Sequence, residues 1–132
     1  MAEDIQLVDL RQSPTALRVQ RGVMRLLRSQ LDFCCFSEVP LANGRRADVL
    51  GVGPKGEIWI VEIKSSLIDF KVDAKWPNYK EYCDRFFFAK PPELDPDIFP
   101  MSEGLIAADG RTMRQSSGQP TRFRCRRHGA RR

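Results

Sequence analysis

The chain has 132 residues, 42% hydrophobic and 30% charged, as expected of one soluble domain that buries a core around a single sheet. No apolar run approaches the roughly 20 residues needed to cross a bilayer. The acidic start, Met1-Ala-Glu-Asp-Ile-Gln6, lacks the apolar core of a secretion signal, so a cytoplasmic protein with no membrane partner is expected. The net charge of +5 is unevenly placed. Eight arginines and no carboxylate lie in 111–132, which leaves 14 basic against 17 acidic residues, a net of −3, in 1–110. Four cysteines, Cys34, Cys35, Cys83 and Cys125, show no zinc spacing, and the only histidine, His128, sits in the arginine-rich segment. A histidine-based zinc site, a Cys–His pair and a Ser–His–Asp triad are thereby excluded from the folded part. Free thiols of a reducing compartment are the expectation.

Residues 1–12 read as a flexible lead-in. Ser13-Pro14 then opens a helix, with serine as N-cap and proline at the first helical position. Ala16, Val19, Val23, Leu26 and Leu27 recur at three- and four-residue steps and make an apolar face. Arg18, Arg21, Arg25 and Arg28 keep the same period on the opposite side, either as a solvated face or as a row that follows a nucleic-acid backbone. From Leu31-Asp32 the pattern turns to strands: Phe33 to Val39, a turn at Leu41-Ala-Asn-Gly44, Asp48 to Val52, and Glu57 to Ile63. The short Gly53-Pro-Lys-Gly56 connection predicts an antiparallel hairpin. In the third strand Ile58, Ile60 and Glu62 share one face, and Trp59, Val61 and Ile63 the other.

Ser65 to Tyr82 is helical in character, but Pro77 predicts two pieces, the second starting near Trp76. Phe86 to Ala89 reads as a strand buried on both sides, Pro91 to Pro100 as a loop, and Gly104 to Ala108 as a last strand. The order is α-β-β-β-α-β, then a loop and one more strand. The segment 110–132 is rich in Arg, Ser and Gly, lacks hydrophobic periodicity, and is expected to be a disordered tail.

The hairpin gathers acidic residues. Asp48 starts its first strand, Glu62 lies near the end of its second, and Lys64 leaves the chain on the same face as Glu62. A carboxylate enclosed in Val61-Glu-Ile63 is costly to bury unless it is paired or bound to a cation. Such groups suit Mg²⁺ (or Mn²⁺), which takes oxygen ligands, keeps several waters and accepts substrate phosphate. The chemistry expected is phosphodiester hydrolysis, with Asp48, Glu62 and the Ile63 carbonyl as metal ligands and Lys64 orienting water or stabilising the transition state. The alternative is a structural ion-pair set.

Asp48 followed across a hairpin by Glu62-Ile63-Lys64 resembles the D-x(n)-E-x-K core of the PD-(D/E)XK nuclease superfamily. The longer string is similar to the MmcB family of bacterial DNA-repair proteins. It comprises Gly44-Arg-Arg-Ala-Asp48, Val61-Glu-Ile-Lys-Ser-Ser66, Asp69-Phe70, Asp73, Lys75-Trp-Pro77, Tyr79, Tyr82-Cys-Asp84 and Gly104-Leu-Ile106. The resemblance runs from about Thr15 to Asp109. It implies a restriction-endonuclease-like α/β (α+β) fold, a mixed central sheet with an αβββαβ core flanked by helices, over 13–109. It also implies a role in DNA repair as a Mg²⁺-dependent deoxyribonuclease, or as a non-catalytic DNA-binding accessory module on the same fold.

Two departures stand out. Residues 14–31 carry no acidic residue of the kind many superfamily members place on the first helix, so Glu38 is the nearest substitute. The arginine-dense segment after Asp109 resembles out-of-frame translation of GC-rich sequence. DNA is the expected partner, with a homodimer or a repair complex as further partners. Arg45, Arg46, Ser66, Lys75, Trp76 and Tyr79 are the candidate nucleic-acid contacts. Trp76, Tyr79 and Tyr82 are spaced to share a helix face, which either packs on the sheet or stacks on a base. Asp84 is expected to cap, or to pair with Arg85 or Lys80.

Overall fold

In the computed structural model the described residues are 13–109. The lead-in 1–12 and the segment 110–132, with Cys125 and His128, lie outside them. Helix α1 (Pro14–Ser29) starts as its sequence dictates: the Ser13 hydroxyl accepts the Ala16 N–H at 3.0 Å, with proline in the first turn. It buries Val19, Val23, Leu26 and Leu27, each contributing about 1.5–3 kcal/mol through removal of its side chain from water. Arg18, Arg21, Arg25 and Arg28 all lie on its exposed side.

Five strands form one sheet in sequence order. They are β1 (Cys34–Pro40), β2 (Arg46–Val52), β3 (Ile58–Ile63), β4 (Arg85–Lys90) and β5 (Gly104–Ala107). The first three are joined as an antiparallel meander, and β3–β4 and β4–β5 are parallel. Both meander turns place a glycine at positive φ, Gly44 at 83° and Gly56 at 79°, a region open to glycine without a Cβ penalty. The parallel β3–β4 pair requires a crossover, supplied by α2 (Leu67–Val72) and a 3₁₀ helix, Trp76–Tyr82. The break at 73–75 and the start at Trp76 agree with the reading of Pro77. The result is a mixed five-stranded sheet, its αβββαβ core extended by β5.

The alternation predicted for β3 sorts the core into two layers. Trp59, Val61 and Ile63 meet α1 together with Phe33, Phe87 and Ile106, while Ile58 and Ile60 join Phe86, Phe88, Tyr79 and Phe99 on the other face. The second piece of the crossover is 3₁₀ rather than α. At three residues per turn Trp76, Tyr79 and Tyr82 line up along one side and pack onto that second layer. Cys34 is exposed and Cys35 buried, as strand alternation requires, and Cys34, Cys35 and Cys83 are free thiols. Asp84 pairs with neither Arg85 nor Lys80. Its Oδ2 accepts the Ile58 N–H and its own N–H reaches the Ile58 carbonyl, closing the end of the sheet away from Glu62. Lys80 instead forms an ion pair with buried Glu103, and the Arg85 guanidinium lies over Trp59. Among the described residues no helix is long and apolar enough to cross a membrane.

Candidate functional site

The backbone ladder between β2 and β3 runs from Val52–Ile58 to Val49–Val61 and stops there. The next two residues in register are Asp48 and Glu62, and their side chains take over the bonding. Asp48 Oδ2 accepts the Ile63 N–H at 2.8 Å, and Glu62 Oε1 accepts the Asp48 N–H at 3.1 Å. The two strands therefore part where the carboxylates sit, and the backbone donors freed by the parting are satisfied by the acids. Glu62 is 4% exposed.

Burial is the main influence on both acids and raises both. For Glu62 the Asp48 charge adds to it, and the carboxyl is pushed up to about 9. The two carboxyls are within hydrogen-bonding reach of each other. Near neutral pH such a pair holds a shared proton or a cation between its members. Among the described residues no three His, Cys, Asp or Glu side chains converge as a metal cluster. The protein's side-chain donors are thus two hard carboxylates, with the Ile63 carbonyl next along the chain. That set fits an ion that keeps waters and takes phosphate oxygens, and it does not fit one needing a full protein cage.

Lys64 is 7% exposed, and its N–H continues the sheet by donating to the Ala89 carbonyl at 2.8 Å. The sequence suggests that Asp48, Glu62 and Lys64 meet. The structure brings the two acids together and sets Lys64 close enough to act on both electrostatically, yet its ion pair is with Asp73, Nζ to Oδ2 at 2.7 Å. Asp73 Oδ1 takes the Lys75 N–H at 2.9 Å. Burial raises Asp73, but the bonds from Lys64 and Lys75 outweigh it and leave its carboxyl below the ordinary value. Sequence reasoning gives Asp73 no role; its only signal is a place in the longer motif.

The remaining candidates are divided. Arg45 is half-buried and near enough to Asp73 and Tyr79 to affect their acidity, while exposed Arg46 pairs with Glu38 at 3.7 Å. Ser66 is the N-cap of α2, its hydroxyl accepting the Asp69 N–H. The Lys75 side chain is exposed. Of the two alternatives for Trp76 and Tyr79, the structure has the rings packed on the sheet: both stack on Phe86, at 5.8 and 6.1 Å, because 3₁₀ periodicity turns them towards it. Tyr79 is buried, donates its hydroxyl to the Arg46 carbonyl, and is pushed up to about 12 by burial and by the three nearby carboxylates. Glu38 lies in β1 between the pairs Ser37–Val49 and Val39–Ala47, hence opposite Asp48. Its φ is 55°, and its charge raises Asp48. Glu38 is exposed and paired with Arg46, and it does not join Asp48 and Glu62 in a three-acid cluster among the described residues.

A family model described as DNA repair protein MmcB-like matches residues 3–122, which carries the likeness past Asp109 into the arginine-rich segment. No curated protein matches the chain. A protein of unknown function from Silicibacter pomeroyi is 46% identical, with a TM-score of 0.70 over 74% of this chain. The match spans 66% of that protein's length. A repair endonuclease from Pyrococcus abyssi is 21% identical, with a TM-score of 0.43 over 67% of this chain and 45% of its own.

Proposed function

The chain belongs to the MmcB-like family of DNA repair proteins, and from that premise we propose that it hydrolyses DNA phosphodiesters at a site built on Asp48, Glu62 and Lys64. The observation that carries the reading is the carboxylate pair, Glu62 buried and Asp48 half-buried, where β2 and β3 part. Asp48 and Glu62 would hold Mg²⁺ or Mn²⁺, with the Ile63 carbonyl as a further ligand. The bound ion would supply an activated water and neutralise charge growing on the phosphate. Lys64 stabilises that phosphate charge as a fixed cation at the rim of the pair. Arg45 and exposed Lys75 contact flanking phosphates. The chain itself contributes two acids at the parting of two strands, largely screened from solvent, where a carboxylate acts more strongly than it would in water.

A second reading, a DNA-binding accessory module without cleavage, has one observation in its favour: Lys64 is engaged by Asp73. Incubation of single-stranded, branched and lesion-bearing DNA with Mn²⁺ separates the two. Cleavage by the wild type is expected, with losses of roughly a hundredfold or more in Asp48→Ala and Lys64→Ala, while DNA binding persists. Equal activity in all three proteins would remove the site from the chemistry. Binding without cleavage on every substrate would favour the accessory reading.

A further inference from the structure

Helix α2 is six residues long, a length marginal in water, and none of its residues is fully buried. Ile68 and Val72 are 73% and 75% exposed. Yet its position is fixed from several sides. Ser66 caps it, the Ser65 N–H bonds Asp69 at 3.0 Å, and Phe70 packs edge-on against Phe88 and Phe99 at 5.3 and 5.0 Å. The Asp73 N–H returns to the Phe70 carbonyl at 3.2 Å. These contacts hold one group at the end of the helix, the Asp73 carboxylate, against Lys64.

The alternative place for the Lys64 cation is visible in the same geometry. It leaves β3 on the face of Glu62, two residues away, and it acts electrostatically on both members of the pair. A lysine lodged there would be a built-in counterion, and a divalent cation would have to displace it. Asp73 gives the lysine another partner. One oxygen of the carboxylate accepts the Lys75 N–H and the other holds Lys64, so the carboxylate is anchored to the backbone beside the lysine.

We infer that Asp73 is a positioning residue: it holds Lys64 off the Asp48–Glu62 pair, keeping the pair open to a divalent cation while leaving the lysine beside it. This rests on the reading of that pair as cation ligands. The test is a Mn²⁺ titration, by calorimetry, of the full chain as wild type, Asp73→Asn, Lys64→Met and the double variant. Asp73→Asn weakens Mn²⁺ binding roughly tenfold, the effect of one opposite charge at close range. In the Lys64→Met background the same substitution changes nothing, because no lysine remains to compete. A purely structural role predicts an equal loss in both backgrounds, and that result overturns the inference.

If the wild type binds no Mn²⁺, the cation reading fails, and the role of Asp73 is decided without metal. The Lys64 ammonium resonance then shifts together with the Asp48 and Glu62 carboxyl carbons in Asp73→Asn. Resonances left in place overturn the inference.

Discussion

Glu62 shows how a single residue couples the site to stability. Its proton is retained in the fold up to about 9, against 4.5 in the unfolded chain, chiefly because it is buried and secondarily because Asp48 lies beside it. The folded form therefore binds more protons than the unfolded one between these values. The stability this adds is full below pH 4.5 and is lost as pH rises towards 9, with a limiting slope of about 1.4 kcal/mol per pH unit. Asp48, also raised, acts in the same sense. Asp73 is lowered, so its contribution is lost only below 3.8, outside that window. Protein kept free of divalent ions is expected to show a falling Tm from pH 5 to pH 8, and Glu62→Gln should flatten the profile. A level wild-type profile would contradict the burial argument. At this scale Asp48, Glu62 and Lys64 are legible because a charge inside a Val-Glu-Ile strand stands out in one dimension. Asp73 is not, because its meaning depends on a turn that folds it back nine residues onto Lys64.

Elements are most legible where periodicity is strong. The cap at Ser13, the apolar stripe of α1, the hairpin and the split at Pro77 follow from local rules, and the structure has them all. The 3₁₀ form of Trp76–Tyr82 depends on packing against Phe86 and Phe88, so the sequence does not distinguish α from 3₁₀ spacing there. Gly22 illustrates the same limit. In sequence it is a weak point of α1, where alanine should gain about 1 kcal/mol. In the fold, a Cβ there would overlap the Asp109 carbonyl oxygen and meet the Ala108 Cβ at 2.9 Å. Gly22→Ala is therefore expected to destabilise, by about 1–3 kcal/mol of overpacking less the propensity gain. Tm should fall by about 4–8 °C for each net kcal/mol. A raised Tm would show that the chain after β5 moves aside at little cost.

For the whole molecule, charge is the property that the fold redistributes least. The segment 1–110 is net negative at −3, and the eight arginines of 111–132 make the protein basic. Replacing those eight by glutamine in the full chain tests which part holds DNA non-specifically. If they neutralise phosphates, the slope of log affinity against log salt becomes shallower by roughly 0.9 for each phosphate released on duplex DNA. An unchanged slope would assign the phosphate binding to the described domain, where the exposed row Arg18, Arg21, Arg25 and Arg28 is the largest basic surface of one helix.

The sequence by itself determined the strands and main helix, the antiparallel hairpin and the identity of the two acids, because each is a local pattern of period, turn chemistry or enclosed charge. Only the tertiary structure decided that the ladder between β2 and β3 ends at Asp48 and Glu62, that Lys64 turns to Asp73, and that Trp76 and Tyr79 face the core. Those outcomes are set by competition between groups distant in the chain for the same buried partner. Their energies depend on distances that no one-dimensional pattern contains.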